Sequence, residues 1–176
     1  MANYLHIHHF FIENSQLTLR EPLTYSDFDS LLSNLKPNSY LDISSRHGRS
    51  AFLISNLLKL SENKSDLWFL TSTILNTDNP YKLMHFNNYE NYICEINNLI
   101  SWSKNNLDKI CTFIEGGWDV EDIKKAIHAV NVFKDISDDD YLDHNFIFSY
   151  LTSVVQMLRD AISKQMSIVV CMWGMS

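Results

Sequence analysis

The sequence predicts a single α+β domain over residues 1–176, an antiparallel or mixed sheet with helices packed on one face, and three observations carry that expectation. Several strand-like runs come early, helical periodicity dominates the second half, and the apolar run from Ser167 to Trp173 closes the chain as a strand buried on both faces. The 176 residues suffice for one substantial core, and no Pro/Gly/Ser-rich linker divides them. A 45% hydrophobic and 12% aromatic content is that of a globular chain, not a disordered one.

Taken in order, Tyr4 to Ile12 reads as a strand, with Leu5, Ile7, His9 and Phe11 on one face and Tyr4, His6, His8 and Phe10 on the other. After Pro22, Thr24 or Ser26 caps a helix whose stripe is Phe28, Leu31, Leu32 and Leu35, and Lys36 with Pro37 ends it. A hairpin is expected next: Tyr40 to Ser45, a polar turn of Arg46, His47, Gly48 and Arg49, and a return over Ser50 to Leu58. That basic turn reads as a solvated tip. Ser61 to Asp66 is a polar loop, and Leu67 to Thr73 reads as a strand broken by Asn76 to Pro80. From Tyr81 to Leu107, Met84, Tyr89, Tyr92, Ile93, Ile96, Leu99 and Ile100 keep a helical period, with a break at Asn87 and Asn88.

Lys109 to Glu115 reads as a short strand leading into Gly116 and Gly117, a turn that needs backbone angles closed to other residues. Asp119 caps a helix from about Val120 to Lys134, striped by Ile123, Ala126, Ile127, Val130 and Phe133. Ser137 to Asp140 then caps a long helix ending near Lys164, with Phe146, Tyr150, Val154, Met157, Leu158 and Ile162 on its apolar side.

The charge is uneven. Between Asp108 and Asp143 ten acidic residues stand against four basic ones, a net −6 of the chain's −7. One reading is a solvated, helix-capping loop stabilised by the dipole. The other is a docking surface for a basic partner, in which Glu121, Asp135, Asp138, Asp139, Asp140 and Asp143 supply charge and Trp118 and Tyr141 supply aromatic anchors. A calcium loop fits poorly, because the EF-hand glycine and terminal glutamate are missing.

Other classes are limited by what the chain contains. Four glycines leave no Walker or dinucleotide fingerprint. A pI of about 5.4 argues against direct nucleic-acid binding. No secretory signal and no apolar stretch of membrane-spanning length is present, so a cytoplasmic protein is expected. Cys94, Cys111 and Cys171 are expected as reduced, buried thiols. No G-x-S-x-G, H-E-x-x-H or C-x-x-C motif occurs, so neither an enzyme nor a cofactor is expected. His6 and His8 would supply two of the three ligands common in catalytic zinc sites, with no carboxylate at ligand spacing nearby. A metal-dependent hydrolase using His6, His8 and Asp42 is the enzyme alternative the residues admit.

The segment GGWDVEDIKKAIHAVNVFKDISDDDYL, with its glycine turn, D-x-x-D-capped helix ending in V-F-K and acidic turn, resembles part of the small bacterial immunity proteins that accompany polymorphic and contact-dependent growth-inhibition toxins. The early order of strand, capped helix (YSDFDSLLSNLK) and hairpin (SYLDISSRHGRSAFLI) is also similar. The chain departs from that pattern after Tyr141 and over Tyr81 to Leu107. The resemblance implies a cytosolic antidote that binds the C-terminal domain of a cognate toxin, of basic nuclease type, with no direct nucleic-acid or membrane contact. An acidic regulatory or adaptor module of a larger assembly is the alternative.

Overall fold

The computed structural model describes residues 4–13, 38–44, 48–71, 75, 79, 81–113, 121, 124, 135–136 and 143–175. These form an α+β fold. In chain order they are β1 (Tyr4–Glu13), β2 (Asn38–Ser44), α1 (Gly48–Leu60), α2 (Trp68–Thr71), β3 (Tyr81–Met84), a 3-10 turn (Phe86–Asn88), α3 (Tyr89–Asn105), α4 (Leu107–Phe113), β4 (Asp135–Ile136), α5 (Asp143–Lys164) and β5 (Met166–Met175). The expected helix over 24–36, the basic residues Arg46 and His47, the Gly116/Gly117 turn and the helix over 120–134, apart from Glu121 and Lys124, lie outside the described residues.

The sheet runs β3-β5-β1-β2-β4. Every pair is antiparallel except β2 with β4, so the sheet is mixed. The two long strands, β1 and β5, pair over their whole length from Tyr4↔Met175 to Glu13↔Met166, and they form its centre. Short strands take both edges, which limits the unpaired backbone available for unwanted association.

Helices α1, α3 and α5 lie on one face, where Ile54, Leu57, Ile96, Leu99, Leu151, Val154 and Leu158 pack with Phe11, Tyr40, Ile168 and Val170 of the strands. On the second face Phe10, Ile12, Val169 and Cys171 are also buried, with Tyr81 and Leu83 partly buried beside them. From Ser167 to Cys171, β5 is therefore enclosed on both sides, as its unbroken apolar run predicts. A bulge falls between His9 and Phe10, where β2 carries Tyr40 as an extra residue between Leu41 and Ser39. It lets Tyr40 join Phe11 on the helical face, their rings stacked at 4.5 Å.

Four local expectations are corrected. Ser50 to Leu58 belongs to α1 rather than to a returning strand, because Ile54 and Leu57 continue at helical spacing into a segment longer than an ordinary strand. Leu67 to Thr73 contains the short helix α2, not a strand. Trp68, Phe69 and Leu70 are buried in succession, which an alternating strand with one solvated face does not allow. Tyr81 to Met84 is a strand on the edge of β5, and the helix begins only after the asparagine break, at Tyr89. The Lys109 region is helical in α4, where Ile110 N–H bonds to the Asn106 carbonyl.

Helix ends follow capping chemistry. At the end of α1 the N–H of Asn63 reaches the Leu58 carbonyl and that of Glu62 reaches Lys59, with Glu62 in the left-handed region at φ 54°. Gln165 (φ 53°) does the same after α5, so the chain reverses directly into β5.

Candidate functional site

The expected acidic docking surface is described at three of its eight residues. Glu121 is helical and exposed, and its carboxylate accepts a hydrogen bond from Lys124 at 2.7 Å. Such an exposed pair contributes little to stability and offsets part of the local negative charge. Asp135 lies not in a capping loop but in edge strand β4, beside Asp42 of β2 in the parallel register. Asp143 is the first residue of α5. Trp118, Asp138, Asp139, Asp140 and Tyr141 lie outside the described residues.

Where the acidic segment begins, an open cleft of about 480 Å³ is lined by Lys104, Asn105, Asn106, Asp108, Lys109 and Lys124. Lys104 and Lys109 of the α3–α4 junction thus share a cleft with Lys124, a juxtaposition that charge counting along the sequence did not show. A second open cleft, of about 540 Å³, lies between the turn after α1 and the outer face of α3, with Glu62, Lys64, Glu95, Asn98 and Trp102 on its walls. Its turn is fixed by the α1 cap and by Ser65 N–H donating to Asn63 Oδ1 at 2.7 Å.

Three tyrosines join the elements that support these surfaces. Tyr40 donates to Asp160 of α5 at 2.5 Å, and Gln156 donates to the other oxygen of the same carboxylate at 2.8 Å. Tyr89, at the start of α3, donates to the Met84 carbonyl at 3.1 Å and accepts the Ile168 N–H at 2.8 Å, linking β3, α3 and β5. Tyr150 of α5 donates to the Phe69 carbonyl of α2 at 3.3 Å. Burial pushes all three phenols well above their ordinary range, Asp160 adding to the effect at Tyr40. They are neutral structural joints.

Cys171 is buried as expected, and burial pushes its thiol up, whereas Cys94 is exposed on the outer face of α3, a correction to the expectation of buried thiols. That face is polar because Cys94 is followed one turn later by Asn98, which donates to its sulfur at 3.8 Å. Among the side chains described, no three His, Cys, Asp or Glu residues gather about one point as a metal site. Among the described residues no helix is long and apolar enough to cross a membrane.

What the described elements define is the class, a mixed α+β fold with helices on one face of its sheet. No family model matches the chain, and comparison with curated proteins and with solved structures returns no match.

Proposed function

We propose that the chain is an immunity protein that binds and neutralises a cognate toxin domain of nuclease type in the cytoplasm, through an acidic surface and without catalysis of its own. The observation that carries this reading is the confinement of a net −6 to the residues from Asp108 to Asp143. That stretch starts on α4, includes edge strand β4 and ends where α5 begins. A nuclease needs Lys and Arg to hold phosphates, and an acidic inhibitor competes for that surface and is steered to it. Trp118 and Tyr141 are the aromatic anchors, and Glu121, Asp135, Asp138, Asp139, Asp140 and Asp143 the charged rim.

The test is to express the polypeptide encoded immediately upstream with and without this protein, score growth, and copurify the pair. Rescue with a stable complex is the expected result. Unrelieved toxicity, or a harmless neighbour, would transfer the charge argument to an acidic regulatory or adaptor module. The combined Asp138→Lys, Asp139→Lys and Asp140→Lys variant should slow association at least about tenfold at low salt. An unchanged on-rate would remove these aspartates from the surface.

A further inference from the structure

The strand register brings together residues that lie far apart in the sequence. Across four adjacent strands, Cys171 of β5, His8 of β1, Asp42 of β2 and Asp135 of β4 occupy one row. Directly opposed residues share a face of the sheet, with Cβ atoms about 4.5–5.5 Å apart in antiparallel pairs. His6 stands two residues before His8, hence on the same face and about 7 Å along the strand. It is opposed by Ser44 and Trp173. The bulge lies beyond His9, so the block from His6 to His8 against Asp42 to Ser44 is regular.

We propose that His6, His8 and Asp42 form a binding site for a divalent first-row metal ion, with zinc the leading candidate. Two imidazoles and one carboxylate are the donor set such ions take, leaving further positions open. The register sets the three positions within about 5 and 7 Å of one another on one face. The charge of the row points the same way. Asp42 and Asp135 lie side by side on adjacent strands, where like charges are destabilising, and a divalent cation beside Asp42 reverses the sign of that interaction. The neighbourhood is largely apolar: Phe10, two residues beyond His8, and Cys171, opposite it, are both buried. The placement is a property of backbone register and is independent of the toxin-binding reading.

The experiment uses the full chain, stripped with EDTA and titrated separately with Zn²⁺, Co²⁺ and Mn²⁺ by calorimetry. One ion per chain is expected for at least one metal, with a visible absorption band for the Co²⁺ form. His6→Ala, His8→Ala and Asp42→Asn should each weaken binding by more than the roughly 10–100-fold typical of losing an outer-shell partner. His85→Ala, at an exposed histidine outside the row, should leave binding unchanged. If His8→Ala fails to fold, His8→Gln replaces it, and the wild-type titration stands without any variant. Absence of binding for all three metals overturns the proposal, as does undiminished binding in the His6→Ala/His8→Ala/Asp42→Asn triple variant.

Discussion

Replacing Tyr89 with phenylalanine removes a single oxygen from the point where β3, α3 and β5 meet. That oxygen donates to the Met84 carbonyl and accepts the Ile168 N–H, and the residue is 0% exposed. Phenylalanine fills almost the same volume, so the loss is polar rather than steric. It strands one buried acceptor and one buried donor, each costing about 1–3 kcal/mol, and the lower half of their sum, about 3 kcal/mol, is expected because phenylalanine gains in apolar transfer. For a chain of this size about 3 kcal/mol lowers Tm by roughly 6–12 °C. Thermal and urea unfolding followed by circular dichroism would measure it, and an unchanged urea m-value would show that the same surface is exposed. Tyr150→Phe is the internal comparison: its hydroxyl reaches the Phe69 carbonyl at 3.3 Å and the Leu70 carbonyl at 3.5 Å, one long donor shared between two acceptors, so a loss of about 1 kcal/mol is expected. If Tyr89→Phe cost less than Tyr150→Phe, the hydroxyl would not be what joins those three elements.

Alkaline pH provides a second check, because the folded protein retains protons on Tyr40, Tyr89, Tyr150 and Cys171 that the unfolded chain releases near pH 10.0 for the phenols and 9.0 for the thiol. Stability from these groups is complete at neutral pH and falls as pH rises through 9 and 10, with enclosed Tyr150 alone contributing a slope of about 1.4 kcal/mol per pH unit. Urea midpoints from pH 8 to 11 should show the decline, and Tyr150→Phe should flatten it; a level wild-type profile would contradict the assigned burial. At the α5 joint, Tyr40→Phe and Asp160→Ala should be non-additive by about 1–3 kcal/mol in a double-mutant cycle, since each removes the partner of the other. Additive losses would mean that the 2.5 Å contact contributes nothing of its own. Iodoacetamide followed by peptide mapping should modify Cys94 in the native protein and Cys171 only after denaturation. Early labelling of Cys171 would show that β5 is open to reagent.

Where a segment's pattern was long and internally complete, the sequence was a sound guide to the fold. β1 and β5 were legible from the β-favouring runs Tyr4 to Ile12 and Ser167 to Trp173, and the C-terminal end of α5 from a stripe sustained over many turns. The misreadings share one physical cause. Ser50 to Leu58, Leu67 to Thr73, Tyr81 to Met84 and Lys109 to Phe113 are short apolar stretches in which a period of 2 and a period of 3.6 select nearly the same residues. Tertiary contacts decided them. Ile54 and Leu57 bury against the helical layer, Phe69 packs on Tyr92 at 4.7 Å, and Leu83 finds Val169 across the sheet. The exposure of Cys94 was equally hidden, because its neighbour Ile93 is apolar while its helical neighbour Asn98 is not.

By itself the sequence determined the class of fold, the closing strand enclosed on both faces and the concentration of negative charge between Asp108 and Asp143, because composition and sustained local periodicity are properties of the chain alone. Only the tertiary structure decided which residues stand side by side. Asp42 lies opposite His8 and beside Asp135, and Lys104 shares a cleft with Lys124, because strand register and helix packing are set by burial of the two faces of the sheet together, a condition that no short window of sequence contains.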